Sequence, residues 1–114
     1  MSFAVRKVAS GWKFDLLAAN GQVIAVSEVY RTENACRSGA ESVSHNAPSA
    51  PIEDLTAPAE RYPNPKFQIF ADKAGRFRFR LKAKNGRIIA VSQSYSTKAA
   101  CLDGIESVRK NAIE

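Results

Sequence analysis

The chain repeats itself, and that limits its possible folds more than any other feature. Shifted by 65 residues, Asn20-Gly21 falls on Asn85-Gly86 and Ile24-Ala25-Val26-Ser27 on Ile89-Ala90-Val91-Ser92. Tyr30 meets Tyr95, Thr32 meets Thr97, and Ala35-Cys36 meets Ala100-Cys101. Gly39, Glu41-Ser42-Val43 and Asn46-Ala47 meet Gly104, Glu106-Ser107-Val108 and Asn111-Ala112. Positions 12–47 and 77–112 share 19 identities in 36, far beyond chance. A one-residue gap near Ser10–Trp12 then brings Phe3 and Gly11 onto Phe67 and Gly75. A unit of about 45 residues is too small to bury a core comfortably alone. Two such units are expected to pack together about a pseudo-two-fold axis.

Periodicity gives the elements within a unit. Residues 67–71 read as a short strand and Asp72-Lys73-Ala74-Gly75 as a turn. In 76–83, Phe77, Phe79 and Leu81 alternate with Arg76, Arg78, Arg80 and Lys82, the period of a half-buried strand. Asn85-Gly86 predicts a type I′ hairpin before the strand 87–92. The first unit copies this with Trp12, Phe14 and Leu16, then Asn20-Gly21, then Val23 to Ser27. A helix follows, capped by Thr32 in one copy and by Ser96 or Thr97 in the other. Small or apolar residues at 100, 101, 104, 105, 108 and 112 form its buried stripe. Asn46 and Asn111 suit a left-handed helix end. The mid-helix glycines Gly39 and Gly104 cost about 1 kcal/mol each against alanine, and their presence in both copies reads either as close backbone approach to the sheet or partner helix or as plain inheritance by duplication.

The five prolines all lie between 48 and 65, where neither a helix nor a central strand can run. The chain is therefore read as one compact domain over 1–114: repeat one at 1–47, a connector at 48–65 and repeat two at 66–114. Formal charge is +6 overall, but the three segments carry +1, −2 and +7. The basic character belongs to repeat two. No apolar run approaches a membrane span, and no secretory signal is visible after Met1. Cys36 and Cys101 have no chelating spacing for zinc. A cytoplasmic chain with reduced thiols and no cofactor is expected.

The run Gly75-Arg-Phe-Arg-Phe-Arg-Leu-Lys-Ala-Lys-Asn-Gly86, then Ser92 to Lys98 and Gly104 to Asn111, resembles the YegP-like family of small, mostly bacterial single- or tandem-repeat proteins. The resemblance covers nearly the whole chain. It implies an α+β fold: tandem β-β-β-α(-β) repeats sharing one largely antiparallel sheet, two helices on one face, and exchanged last strands. It implies no activity. Pro51 to Leu55 resembles the strand that follows the first helix. No matching segment follows Asn111, so a second exchanged strand is not expected from these residues. Repeat one also departs at Glu33, Ala40 and Ser44, where repeat two has Lys98, Ile105 and Arg109.

The strongest chemical feature is the acid-free run of cations Lys73, Arg76, Arg78, Arg80, Lys82, Lys84 and Arg87. Strand alternation sends Arg76, Arg78, Arg80 and Lys82 to the face opposite Phe77, Phe79 and Leu81, with Phe70 beside them. Three readings are open, one of them a contact surface for a protein partner. The row is a polyanion site, with Phe70 as a stacking platform for single-stranded nucleic acid, or a solvated sheet face. Repeat one has Lys13, Asp15 and Leu17 instead, so such a site is expected on one repeat only.

Cys36 and Cys101 lie on apolar helix stripes and read as core. His45 is read as an exposed residue near a helix end, Glu41 and Glu106 as solvent-facing. Tyr30 and Tyr95 read as packing anchors with surface hydroxyls. No catalytic constellation appears, so the expectation is a non-enzymatic binding module. The alternative is a protein partner or homodimer using an open sheet edge.

Overall fold

The computed structural model describes residues 2–58 and 60–112. Met1, Ala59, Ile113, Glu114 and the side chain of Ala112, which the helical stripe includes, lie outside the described residues. Repeat one folds as β1 (Phe3–Val8), β2 (Gly11–Leu17), β3 (Val23–Ser27) and α1 (Glu33–Asn46). The connector holds β4 (Ile52–Asp54). Repeat two folds as β5 (Lys66–Ala71), β6 (Phe77–Lys82), β7 (Ile88–Ser92) and α2 (Lys98–Ala112). All the strands share one sheet in the order β1-β2-β3-β7-β6-β5-β4. Each pair is antiparallel except β4 with β5. The order is symmetric about the β3–β7 seam, where Val26 lies opposite Val91. The expected α+β tandem repeat and its exchanged strand are therefore present. Residues after α1 leave their own repeat and pair with β5 of the other.

Both helices cover one face of the sheet. Inward positions Phe14, Leu16, Phe67, Ile69, Phe79 and Leu81 meet Cys36, Ala40, Val43, Cys101, Ile105 and Val108 in a single buried cluster. Burying each large side chain contributes about 1.5–3 kcal/mol, and neither repeat encloses the cluster alone. Thr32 caps α1 by accepting from Ala35 N (3.1 Å), and Thr97 does the same for Ala100 N (3.1 Å).

Three local readings are corrected. The Asn-Gly hairpins are not type I′, since neither Asn20 nor Asn85 has positive φ. Gly86 N–H donates to Ala83 O and Ala83 N–H to Arg87 O, and Gly86 alone is left-handed at φ 85°. This is a type I turn closed by a glycine bulge, which reaches the strand twist with one left-handed residue instead of two. Asn46 and Asn111 are not left-handed either. Their side-chain amides bond back to the carbonyls of Ser42 and Ser107 (2.8 Å each). The tyrosine hydroxyls are not simple surface groups. Tyr30 stacks on Phe14 with ring centroids 6.3 Å apart, and Tyr95 on Phe79 at 6.4 Å. Each hydroxyl sits against a helix glycine, Gly39 or Gly104. Burial raises the pKa of both phenols.

The glycines are thus required by the tyrosines. Alanine at an ordinary helix position stabilises relative to glycine by about 1 kcal/mol. At Gly104 the new methyl would overlap the Tyr95 phenol and press on Phe79. Gly104→Ala is therefore expected to destabilise by about 1–3 kcal/mol in urea unfolding. Adding Tyr95→Ala should remove the clash and make the same alanine neutral or favourable.

Candidate anion-binding face

The face of the sheet away from the helices carries the charge. Register places Asp15 opposite Val26, Val26 opposite Val91, Val91 opposite Arg80, Arg80 opposite Gln68 and Gln68 opposite Glu53. Phe70 lies opposite Arg78, as alternation requires.

The cations of the predicted run occupy three places: the two turns that flank β6, and β6 itself. Lys73 and Arg76 sit at the turn that opens β6, and Lys84 and Arg87 at the turn that closes it. At about 3.3 Å per residue, the length of β6 separates them by more than 15 Å. Arg87 belongs to a different cleft, of about 660 Å³, between α1 and the β6–β7 turn, where Tyr30 and Glu28 also line the wall. Arg80 is committed within the sheet. Its Nε donates to Gln68 Oε1 (2.8 Å), and its guanidinium lies 4.8 Å from the Phe70 ring centroid. One face of the aromatic platform is therefore already occupied. Lys82 lies opposite Lys66.

Arg78 is different. It is half-buried, and its Nε is buried with no hydrogen-bond partner among the described residues. It lines a shallow cleft of about 430 Å³ that crosses the seam and includes Lys13 and Arg6 of repeat one. Lys13 is the repeat equivalent of Arg78. Val26 and Val91 form the floor, and Glu28 and Gln93 also line it. The basic surface is thus not confined to repeat two. The earlier expectation weighed β6 against its repeat-one counterpart as separate strips, whereas the seam brings both to one concavity. Arg6 also bonds Asp15 (3.1 Å), which neutralises part of its charge.

The sequence reading missed the buried carboxylate at the sheet's other side. Glu53 is 2% exposed. It accepts from Tyr62 N–H (2.8 Å), Lys66 Nζ (2.9 Å) and Gln68 Nε2 (2.7 Å). The Tyr62 amide first, then Lys66, outweigh burial and hold its pKa down to about 2. A network Arg80–Gln68–Glu53–Lys66 therefore ties the connector to the sheet. Alternation in a three-residue strand gives too little pattern to find such a residue. Ser27 and Ser92 were also missed. Each is buried, accepts from a strand N–H (Phe14 or Phe79, 2.9 Å) and donates to the next carbonyl. An identical polar residue in both copies of an apolar strand was the available signal.

None of the remaining candidates lines the seam cleft. Cys36 and Cys101 are buried and free, and burial raises both thiol pKa values, that of Cys101 to about 11 with help from the Asp54 charge. His45, Glu41 and Glu106 are exposed, and Glu106 pairs with Arg109 (2.7 Å). Among the described residues no three His, Cys, Asp or Glu side chains are placed to hold a metal ion. Among the described residues no helix is long and apolar enough to cross a membrane.

The family model described as a domain of unknown function, DUF1508, matches residues 8–54 and again 72–114. The chain belongs to the DUF1508 family. Each match ends on or beyond a helix, in keeping with one family unit per repeat. Among DUF1508 relatives, the UPF0339 protein YegP of Yersinia pestis is 33% identical over 112 residues, 97% of this chain and 88% of the relative. A UPF0339 protein of Treponema denticola is 66% identical over 47 residues, only 41% of this chain but 81% of that protein. The solution structure of YegP from E. coli, titled a protein of unknown function, superposes with a TM-score of 0.78 at 30% identity, covering 98% of this chain and 85% of its own. That of a Shewanella oneidensis UPF0339 protein gives 0.77 at 34% identity, covering 98% and 84%. The DUF1508 fold is therefore shared along essentially the whole chain.

Proposed function

We propose that this DUF1508 protein is a non-enzymatic cytoplasmic module that binds an anionic polymer on the open face of its sheet. One observation carries the reading: Arg78 converges with Lys13 and Arg6 in one cleft across the seam. The terminal N–H groups of a guanidinium in a concave site suit phosphate oxygens, which accept bidentate or forked bonds. Around the valines the three cations outnumber the one acid, Glu28, and Gln93 adds a neutral amide. Lys73, Arg76, Lys82, Lys84 and Arg87 surround this centre as long-range attraction, while Arg80 and Phe70 form its structural flank. Two buried thiols on separate helices suit a reducing compartment.

The test is fluorescence anisotropy with a labelled single-stranded oligonucleotide over a salt series. Three phosphate contacts give a slope of log affinity against log salt near −2, at about 0.7 per contact. Lys13→Glu with Arg78→Glu should weaken binding more than tenfold, whereas Lys73→Glu should weaken it only a few-fold. No binding at low salt, or binding indifferent to the double variant, would sink the reading.

A further inference from the structure

Among the described residues the pseudo-symmetry stops at the two edges of the sheet, where β5 has an outer neighbour and β1 has none. On the outer side of β5, Phe67 N–H donates to Pro51 O (2.8 Å) and Leu55 N–H donates to Ile69 O (2.9 Å). These bonds dock β4 in parallel. The counterpart of β5 is β1, with Phe3 and Val5 in the places of Phe67 and Ile69. Leu17 N–H donates to Ser2 O (3.0 Å), so residue 2 faces β2. Alternation then turns the main-chain groups of Ala4 and Arg6 inward and those of Phe3, Val5 and Lys7 outward. Among the described residues no strand lies beyond β1. It therefore presents the same donors and acceptors, at the same positions, that β5 uses to hold a strand.

The side chains that latch β4 show what kind of strand would fit. Lys98, at the start of α2, pairs with Asp54 (2.8 Å), which lies opposite Ile69. Arg109, later in α2, donates to the Ala50 carbonyl and stands 5.5 Å from the Phe67 ring. At these two positions repeat one has Ser44 and Glu33, whose carboxylate meets Arg37 one turn on (3.0 Å) in an exposed pair weak enough for a strand cation to share. A second copy of the 51–55 segment would bring Asp54 against Glu33 and find no guanidinium to hold its entry. Two β1 edges paired together would bring Arg6 and Lys7 of each copy into one ladder, the like-charge arrangement that discourages edge pairing. A strand with a cation opposite Val5 meets neither obstacle.

We propose that the outer edge of β1 binds, in parallel, an extended segment of another protein carrying Lys or Arg opposite Val5, where Glu33 can pair with it. The main chain supplies affinity, and the single charged position supplies selection. The edge groups lie outside the open-face cleft, so this inference and the anion reading fail separately.

Two peptides test it, titrated at millimolar concentration into the full-length, nitrogen-labelled protein. One has the sequence of residues 50–58 with Glu53→Thr, since Ser2 and Ala4 stand at β1 where Lys66 and Gln68 hold Glu53, and the other has the same sequence with Asp54→Lys as well. The second should shift the amide signals of Phe3, Val5, Lys7 and Glu33 and bind about fivefold more tightly at β1, the effect of one well-placed partly exposed charge pair. Glu33→Lys should reverse the order. Glu33 is at the helix surface, so this variant should keep the native spectrum, and Glu33→Gln should give equal affinities if the main chain is the common element. The proposal is overturned if neither peptide moves the β1 amides, if the preference ignores Glu33, or if the peptide that keeps Asp54 binds β1 better. It is equally overturned if sedimentation shows concentration-dependent dimers that protect β1, which would make a second copy the occupant.

Discussion

Glu53→Ala is expected to lower unfolding free energy by about 3–5 kcal/mol, the usual cost of stripping one partner from a buried ion pair. Lys66, whose side chain is 13% exposed, loses its carboxylate partner and keeps only the Tyr62 carbonyl. The Tyr62 amide and the Gln68 amide lose their acceptors as well. Arg61 contributes little, since it stands 3.7 Å away and is 72% exposed. Glu53→Gln keeps the shape and part of the acceptor capacity, so it should cost less in urea titrations. The two variants also differ from the parent in acid. In the native state the Glu53 pKa falls from 4.5 to about 2. Between those values the unfolded chain binds the proton and the folded chain does not, so stability rises with pH there. The contribution is complete above about pH 4.5 and is lost as pH falls toward 2. Parent protein should therefore weaken more steeply than Glu53→Gln across that window. Equal slopes would mean that the carboxylate is not held as its contacts imply.

Phe79→Ala is the second large effect, expected at about 3–5 kcal/mol. Phe79 is 1% exposed and meets Phe67 edge-on at 5.9 Å as well as the Tyr95 ring. Its more informative consequence is where the loss is read. The chain has one tryptophan, Trp12, in repeat one. Its main-chain N–H donates to the Tyr30 carbonyl (2.8 Å), and its strand β2 lies three places from the β6 of Phe79. Since the repeats share one core, fluorescence from Trp12 and circular dichroism from both helices should still unfold in a single coincident transition. Separate transitions would show that each repeat folds independently and that the seam is only an interface.

The architecture was legible because duplication printed each element twice. Alternation at Phe77, Phe79 and Leu81, the Asn-Gly turns and the threonine caps each acted locally, and each was corroborated by its copy. The candidate site was only half legible. Alternation correctly placed Arg78, Arg80, Lys82 and Phe70 on one face, but a linear run of charges does not reveal which cations already have partners. Gln68 claims Arg80, and only the register of β5 with β6 shows it. The convergence of Lys13 with Arg78 depends on β3 pairing with β7, a contact across 65 residues that no local pattern encodes. Asn20 and Asn85 misled because Asn-Gly satisfies two turn types, and the residue count between the strands decided for the bulged one.

The seam has one more consequence. A single-repeat protein that completed this sheet with its own copy would form an assembly whose strength falls on dilution, with the same side chain forced onto both sides of the axis. Joining the halves through the 48–65 connector fixes the local concentration of each half around the other. It also frees equivalent sites to differ, so that one edge can have Lys98 and the other Glu33, two opposite signs that an identical pair could never display.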